Sequence, residues 1–528
     1  MPARVALLAL LVALGGGLFR LSADPQPAHP GPLPDPGPAP EADTHPPEGT
    51  AAEFAAALAA YKAVGGEGVR EAGIRSPVRP YHEFTVTPTA GRVAKLPDLP
   101  FEYRLILRIT ADTAPGDVAA LARLKHLRWV SLEGAPRELE ELDRVRANLA
   151  RAAAELVAVP NLEKVNFGNA FGDERLADAA LAAVPKMAAL RSVGVSGRIT
   201  DAGVETLARN PGLRHVWLTD CPEITDAGIA HLARLPHLRA LGVQYCKRVS
   251  AAGLRPFTTA PRLRELAFGG HDTAGEVLLD VARIPTLEAL NMTTLGDERE
   301  RLAGFPPAHL AALARLPRLR TISGYGAMMT DAGLAELARA PVLENVTAHG
   351  PGVTDAGLSH LAGMPNLRRA EVGYSEAVTD AGLRRLAAAP RLETVRLFGA
   401  PRVTDAGLDA LARTPALTGL SVGERVPVTE AALRRFVSAR GRQLRELSLG
   451  DGRVGDDFVT FLVDTAPNLG TLHLVVCPRV TDRSIGPLAT LREARIVNLD
   501  RSGLTPEGVL ELRRRLGPGC EVSGPWRR

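Results

Sequence analysis

Four cysteines are the residues of this 528-residue chain best suited to nucleophilic, redox or metal chemistry. Cys221, Cys246 and Cys477 fall at one position of a recurring unit, and Cys520 stands alone near the end. Cys221 and Cys246 are one unit apart, so on neighbouring strands their Cα atoms would lie ~4.8 Å from each other, within disulfide range. Side chains leaving adjacent parallel strands in the same direction suit that bond poorly. Free thiols filling a turn are therefore the expectation, with a bridge as the alternative in an oxidising compartment. Zinc needs clustered ligands, and the spacing supplies none. The sequence contains no G-x-S-x-G, no H-E-x-x-H and no phosphate-cradling glycine loop. Gly194-Val195-Ser196-Gly197 falls on a strand and its turn with the wrong glycine spacing, and Asp451–Asp457 lacks the spaced oxygens of a calcium loop. Acids and histidines are scattered by repeat position, so the expectation is a non-enzyme with no metal and no cofactor.

The element that must position all of these is the unit around Cys221. Leu213, Val216 and Leu218 point inward from a short strand while His215, Trp217 and Thr219 alternate to the other face. After the turn at Cys221, Thr225 can cap a helix, Asp226 places negative charge at the positive end of its dipole, and Ile229, Leu232 and Ala233 face the core. Pro236 ends the helix and opens the next unit. Units begin at Pro160, Pro185, Pro211, Pro236, Pro261, Pro285, Pro317, Pro341, Pro365, Pro390 and Pro415, mostly 24–26 residues apart. The unit from Pro285 carries an insertion around Gly296–Pro307. Further strands are expected at Arg104–Ile109, Leu127–Leu132, Leu444–Leu449, Leu469–Leu474 and Val497–Leu499, with a charged helical insertion over Ala135–Val159. Thr-Asp-Ala-Gly starts at Thr200, Thr225, Thr330, Thr354, Thr379 and Thr404, with looser forms at Ser250, Thr429, Thr481 and Thr505. One such unit cannot bury its apolar edge alone, so copies must stack.

C-P-x-[IV]-T-D-x-[GS]-[IL] at Cys221 and Cys477, with A-P-R-V-T-D-A-G-L at Ala400, resembles the cysteine-containing leucine-rich repeats of the ribonuclease-inhibitor-like class. Such repeats occur in F-box substrate receptors and in bacterial proteins. The resemblance implies an α/β leucine-rich repeat solenoid, a horseshoe with parallel strands on the concave face and helices on the convex one. It also implies macromolecular recognition rather than a reaction.

The outward strand positions then become the candidate site. Many are small, such as Ser192, Gly194, Gly242 and Gly419, which leaves room but little grip. Trp217, Tyr325, His349, Arg369, Arg396 and Phe398 are the partner-binding candidates, because aromatic side chains and arginines anchor protein interfaces. All but Trp217 come from four adjacent repeats and would form one patch.

Lys+Arg 63 against Asp+Glu 59 is near balance, and no basic stripe marks the strand face, so nucleic acid is a poor fit. Residues 1–23 read as a signal peptide or anchor: Arg4, the apolar run Val5–Leu14 and Leu21-Ser22-Ala23. Residues 24–47 form a proline-rich linker. Residues 48–100 read as an N-terminal cap, with a helix over Glu48–Val64 and β-like pieces such as Phe84–Thr87. The solenoid covers 101–522 and a tail 523–528, within a polar, basic stretch from Arg513 that reads as a terminal cap. The leading expectation is an exported scaffold in the periplasm, cell envelope or outside the cell that binds another protein or a glycan. It would touch the membrane only through its N-terminal segment, anchored by residues 5–19 if uncleaved. The alternative is an intracellular F-box-like subunit of a ubiquitin ligase, on the faint echo of Leu96-Pro97 and Trp129. An enzyme with an unrecognised site is the third.

Overall fold

The structure is a computed structural model that describes residues 82–86, 93–98, 103–134, 139–168, 178–269, 276–293, 305–325, 329–517 and 519–524. The expected leader, linker and Glu48–Val64 helix lie outside the described residues, as do most of the Gly296–Pro307 insertion and the last four residues of the tail.

Among the described residues, eighteen short strands carry the fold. The first nine are β1 (His82–Val86), β2 (Tyr103–Ile109), β3 (Leu127–Gly134), β4 (Lys164–Phe167), β5 (Ser192–Ser196), β6 (His215–Thr219), β7 (Ala240–Gln244), β8 (Glu265–Gly269) and β9 (Ala289–Thr293). They continue as β10 (Thr321–Tyr325), β11 (Asn345–His349), β12 (Arg369–Gly373), β13 (Thr394–Phe398), β14 (Gly419–Val422), β15 (Glu446–Leu449), β16 (Thr471–Leu474), β17 (Ile496–Asn498) and β18 (Glu521–Ser523). Each pairs in parallel with the next in chain order, so the sheet grows by one strand per repeat. Helices, or 3-10 segments in some repeats, return the chain between strands. The chain is an α/β leucine-rich repeat solenoid.

The inward positions behave as the periodicity requires. Leu213, Val216, Leu218, Cys221, Ile224, Ile229 and Leu232 are all fully buried in one core that runs along the repeats. The first and last strands lie beyond where the sequence places regular repeats. β1 falls inside 48–100 and pairs along β2, and β18 falls at the edge of the expected tail, where Val522 is buried and its carbonyl accepts from Arg513 Nε at 2.7 Å. Of the residues that echo an F-box, Leu96 is buried in the solenoid core and Trp129 lies within β3.

Thr-Asp-Ala-Gly does more than cap helices. Thr225 Oγ1 accepts the Ala227 N–H, the cap expected of it. Asp226, however, reaches forward to the next repeat, accepting the Ser250 N–H and hydroxyl at 2.6 Å each. The same clasp joins Asp201 to Thr225, Asp331 to Thr354, Asp355 to Thr379, Asp380 to Thr404 and Asp405 to Thr429. Asp456, from the acidic Asp451–Asp457 stretch, clasps Thr481 and also accepts from Ser484. The motif's glycine completes the device: a Cβ on Gly228 would collide with the Asp201 carboxylate of the preceding repeat. Charge-assisted hydrogen bonds thus tie successive helix starts together in the region where neighbouring helices pack.

Candidate functional site

The strand face presents its outward side chains in rows fixed by register. One row runs Trp129, Lys164, Ser192, His215, Ala240, Glu265, Ala289, Thr321, Asn345, Arg369, Thr394, Gly419, Glu446. The next row includes Trp217, Gly242, Glu371, Arg396, Ser421, Ser448 and His473. Some of the small residues expected to leave open floor are roofed. Trp217 lies across Gly242 and Phe398 across Gly373, so closely that a Cβ on either glycine would overlap the ring. The glycines let large aromatic side chains lie flat, as rigid plates rather than mobile anchors.

At β11 to β16 the charged residues tie to one another. His349, 1% exposed, places Nε2 3.1 Å from Glu371 Oε1, and Arg396 Nη1 stands 3.8 Å from Glu371 Oε2. Arg396 Nη2 donates to Glu446 Oε1 at 3.1 Å, across β14, where Gly419 and Ser421 are too small to obstruct it. Burial alone would raise the Glu371 carboxyl, but His349, Arg396 and Arg369 hold it below the usual carboxylate range. Burial, reinforced by Arg396 against the pull of Glu446, lowers the His473 imidazole. His349, Tyr374 and Phe398 form an edge-to-face set, with centroids 4.7 Å apart for His349–Phe398 and 5.1 Å for Tyr374–Phe398.

The structure therefore brings together His349, Arg369, Arg396 and Phe398. It places Trp217 apart, on β6. Tyr325 ends β10, and its side chain lies outside the described set. Glu371, Glu446 and Tyr374 are members that the six partner-binding candidates leave out. Glu446 was within reach, since it is an outward strand position two repeats beyond Arg396. Tyr374 was not: it follows β12 at φ 50°, where alternation along a strand no longer says which way a side chain points. Another unforeseen contact lies nearer the N-terminus, where Arg104 and Lys164, on the strands flanking β3, stack on Trp129 at 3.9 and 3.6 Å from the ring centroid.

A cleft of about 200 Å³ opens over the middle of the first row, with Glu265 on its floor between Ala240 and Ala289. The charged residues just ahead of the strands rim it. Of these, Arg264 turns to Glu288 at 3.6 Å and Arg320 to Glu344 at 2.6 Å. Glu265 Oε1 is buried with no hydrogen-bond partner, and burial pushes the carboxyl up to about 7. Farther along the row, Arg369 Nε is likewise buried without a partner, and burial lowers that guanidinium. Sequence reasoning did not single out Glu265. Its only signal is an outward acid flanked in both adjacent repeats by alanine.

All four cysteines are buried and unbridged. The Cys221 and Cys246 thiols contact strand carbonyls, Val195 and Thr219 for the first, Leu218 and Gln244 for the second. The neighbouring Cys221 and burial raise the Cys246 thiol well above its ordinary value, and burial pushes Cys520 up to about 12. Thiols so held are poor nucleophiles. Among the described residues no group of three or more His, Cys, Asp or Glu is arranged to hold a metal ion.

No family model matches the chain, and no curated protein matches it. Among solved structures, an internalin from Listeria monocytogenes is similar at 19% identity and a TM-score of 0.33, over 65% of this chain and 82% of that one. The structure of the Rad7–Elc1 complex of yeast is similar at 15% identity and a TM-score of 0.45, over 72% of this chain and 91% of that one. These are likenesses of fold alone. The repeat assignment rests on the register, core and caps described above.

Proposed function

We propose that this protein is a non-catalytic scaffold that binds another protein along its strand face. The observation that carries the reading is the preorganised set on β11 to β16. Arg396 is fixed between Glu371 and Glu446, beside an aromatic cluster whose Tyr374 is 41% exposed. Fixed aromatic and arginine side chains lose little freedom on association, which is what makes them effective anchors. In this set His349, Glu371, Arg396 and Glu446 point at one another rather than at a shared reacting atom. The leader-like Val5–Leu14 run and the proline-rich spacer after it support export to the cell envelope. The turn cysteines, with helices returning the chain between strands, support the ribonuclease-inhibitor-like class.

A photo-crosslinking amino acid at Tyr374, expressed in the native cell, should yield a covalent adduct with a protein. The same label at Leu510, exposed on the last helix, should not. Adducts from Leu510 alone would move the interface to the helices, and a carbohydrate adduct at Tyr374 would make the partner a glycan. Intact mass and fractionation test export. A chain starting near Asp24 outside the cytoplasm supports it, an intact Met1 in the membrane fraction makes the protein an anchored scaffold, and a cytosolic chain that keeps its leader overturns it.

A further inference from the structure

Glu265 and Arg369 each hold a buried polar atom that bonds to nothing in the fold, although Glu371, Glu393 and Glu446 act on the Arg369 charge without bonding that atom. Glu265 Oε1 and Arg369 Nε are both buried and unbonded. The charged groups nearby are committed elsewhere: Arg264 to Glu288, Arg320 to Glu344, Glu393 to Arg368, and Arg396 to Glu371 and Glu446, while Arg239 on the cleft rim is likewise engaged. Buried polar groups without partners are rare in folded proteins and concentrate where something else completes them. The two lie on one register row, Glu265–Ala289–Thr321–Asn345–Arg369. Between them the floor is small and polar: Ala289 opens the cleft, and Asn345 Nδ2 donates to Thr321 Oγ1 at 3.0 Å.

We infer that this row is a docking track for an extended segment of another protein that sets a basic side chain over Glu265 and an acidic one over Arg369. Four inter-strand steps of ~4.8 Å separate the ends by ~19 Å. An extended chain advances ~3.3 Å per residue, so the two charges of the partner sit about six residues apart. An even separation also places both on the same side of that strand, as a single sheet face demands. Matching one group without the other leaves a buried polar atom unbonded, so the track selects for both charge and spacing. This inference rests on the protein-binding reading above and narrows it to a partner class.

The test is an array of synthetic peptides in a serine–glycine background, with one lysine and one glutamate four, six or eight residues apart in both orders, probed with the intact protein. The six-residue spacing should be retained better than either alternative, by roughly fivefold or more, in at least one order. Glu265→Gln should abolish the dependence on lysine and Arg369→Met the dependence on glutamate. Hydrogen exchange on each variant verifies that its repeats remain folded. Equal retention at all spacings, or a preference that survives Glu265→Gln, overturns the track. If that happens while Tyr374 still crosslinks to a protein, the track falls and the binding scaffold stands. If the Tyr374 adduct is absent as well, the broader reading falls with it.

Discussion

Glu265 and Glu371 are both outward glutamates on the same sheet, four strands apart, and the structure treats them oppositely. Glu371 faces His349 and Arg396 and is held below the ordinary carboxylate range, whereas Glu265 faces two alanines and is pushed up to about 7. The helix side of the same repeats shows a parallel contrast. From Asp331 to Thr429 every helix start is clasped by the preceding aspartate. Ala251 takes the place of that aspartate one repeat after Asp226, and Gly333, at the far end of the gap, abuts Leu310 instead of a carboxylate. Regularity is lost on both faces over the same stretch, the stretch that carries the cleft. In a repeat protein the consensus residues hold neighbours together, so departures from consensus are where unsatisfied groups can be kept for something other than stability.

The largest test of that contrast is pH. A carboxyl near 4.5 when unfolded and near 7 when folded binds a proton in the native state that the unfolded chain has already released between those values. Stability contributed at this site therefore falls as pH rises through the window, by about 3 kcal/mol in total, and is unaffected below it. Glu265→Gln should match the parent near pH 4 and exceed it by up to about 3 kcal/mol near pH 8, read from hydrogen exchange of the β8 amides. Equal exchange at both pH values would mean that Glu265 is solvated and the contrast with Glu371 is lost.

The clasp should show the next largest effect. Asp355→Ala removes the acceptor of the Thr379 N–H and hydroxyl, bonds of 2.8 and 2.7 Å, and should cost about 2 kcal/mol locally. Exchange should rise in the helix Asp380–Leu386 first. Ala251 has no carboxylate to lose, so Ala251→Ser should leave its own neighbours within about 0.5 kcal/mol. If Asp355→Ala is equally silent, the aspartates are ordinary dipole partners and the helix-side half of the comparison disappears.

The contrast also shows what could be read from the chain alone. The repeats, their strands and the threonine caps were legible because each depends on residues a few positions apart: Leu213 with Val216 and Leu218, Thr225 with Ala227. The role of Asp226 was legible only in part. Its dipole position is local, but its clasp closes on Ser250, a whole repeat away, and exists only once repeats stack in register. Glycines on the strand face looked like open floor because the ring that covers Gly242 belongs to the preceding repeat. Glu265 was the least legible, since its burial and isolation follow from what Ala240 and Ala289 fail to supply.

A smaller effect of opposite sign is expected at Glu371. Its carboxyl is held low in the folded state, so its contribution is present above the unfolded value and disappears as pH falls through the folded one. Glu371→Gln should destabilise β12 by about 1 kcal/mol at neutral pH, leaving Arg396 to Glu446 alone, and the penalty should vanish in acid. A variant that instead gains stability at neutral pH would place Glu371 in the same class as Glu265.

Tyr374 should have the smallest effect on stability and the largest on binding. It is 41% exposed and packs edge-to-face on His349 and Phe398 at the strand face, outside the core, so Tyr374→Ala should shift stability by less than about 0.5 kcal/mol. If the paired region is the anchor and the Glu265 row the selector, the two should fail differently. Tyr374→Ala should weaken every peptide or partner alike, because it removes contact area without touching charge. Glu265→Gln should leave affinity for uncharged ligands unchanged and erase only the preference for a basic residue. Binding measured to one lysine-containing and one lysine-free peptide, for both variants, separates these outcomes. Identical profiles for the two variants would mean that the strand face acts as one surface, and that the difference between its halves concerns folding alone.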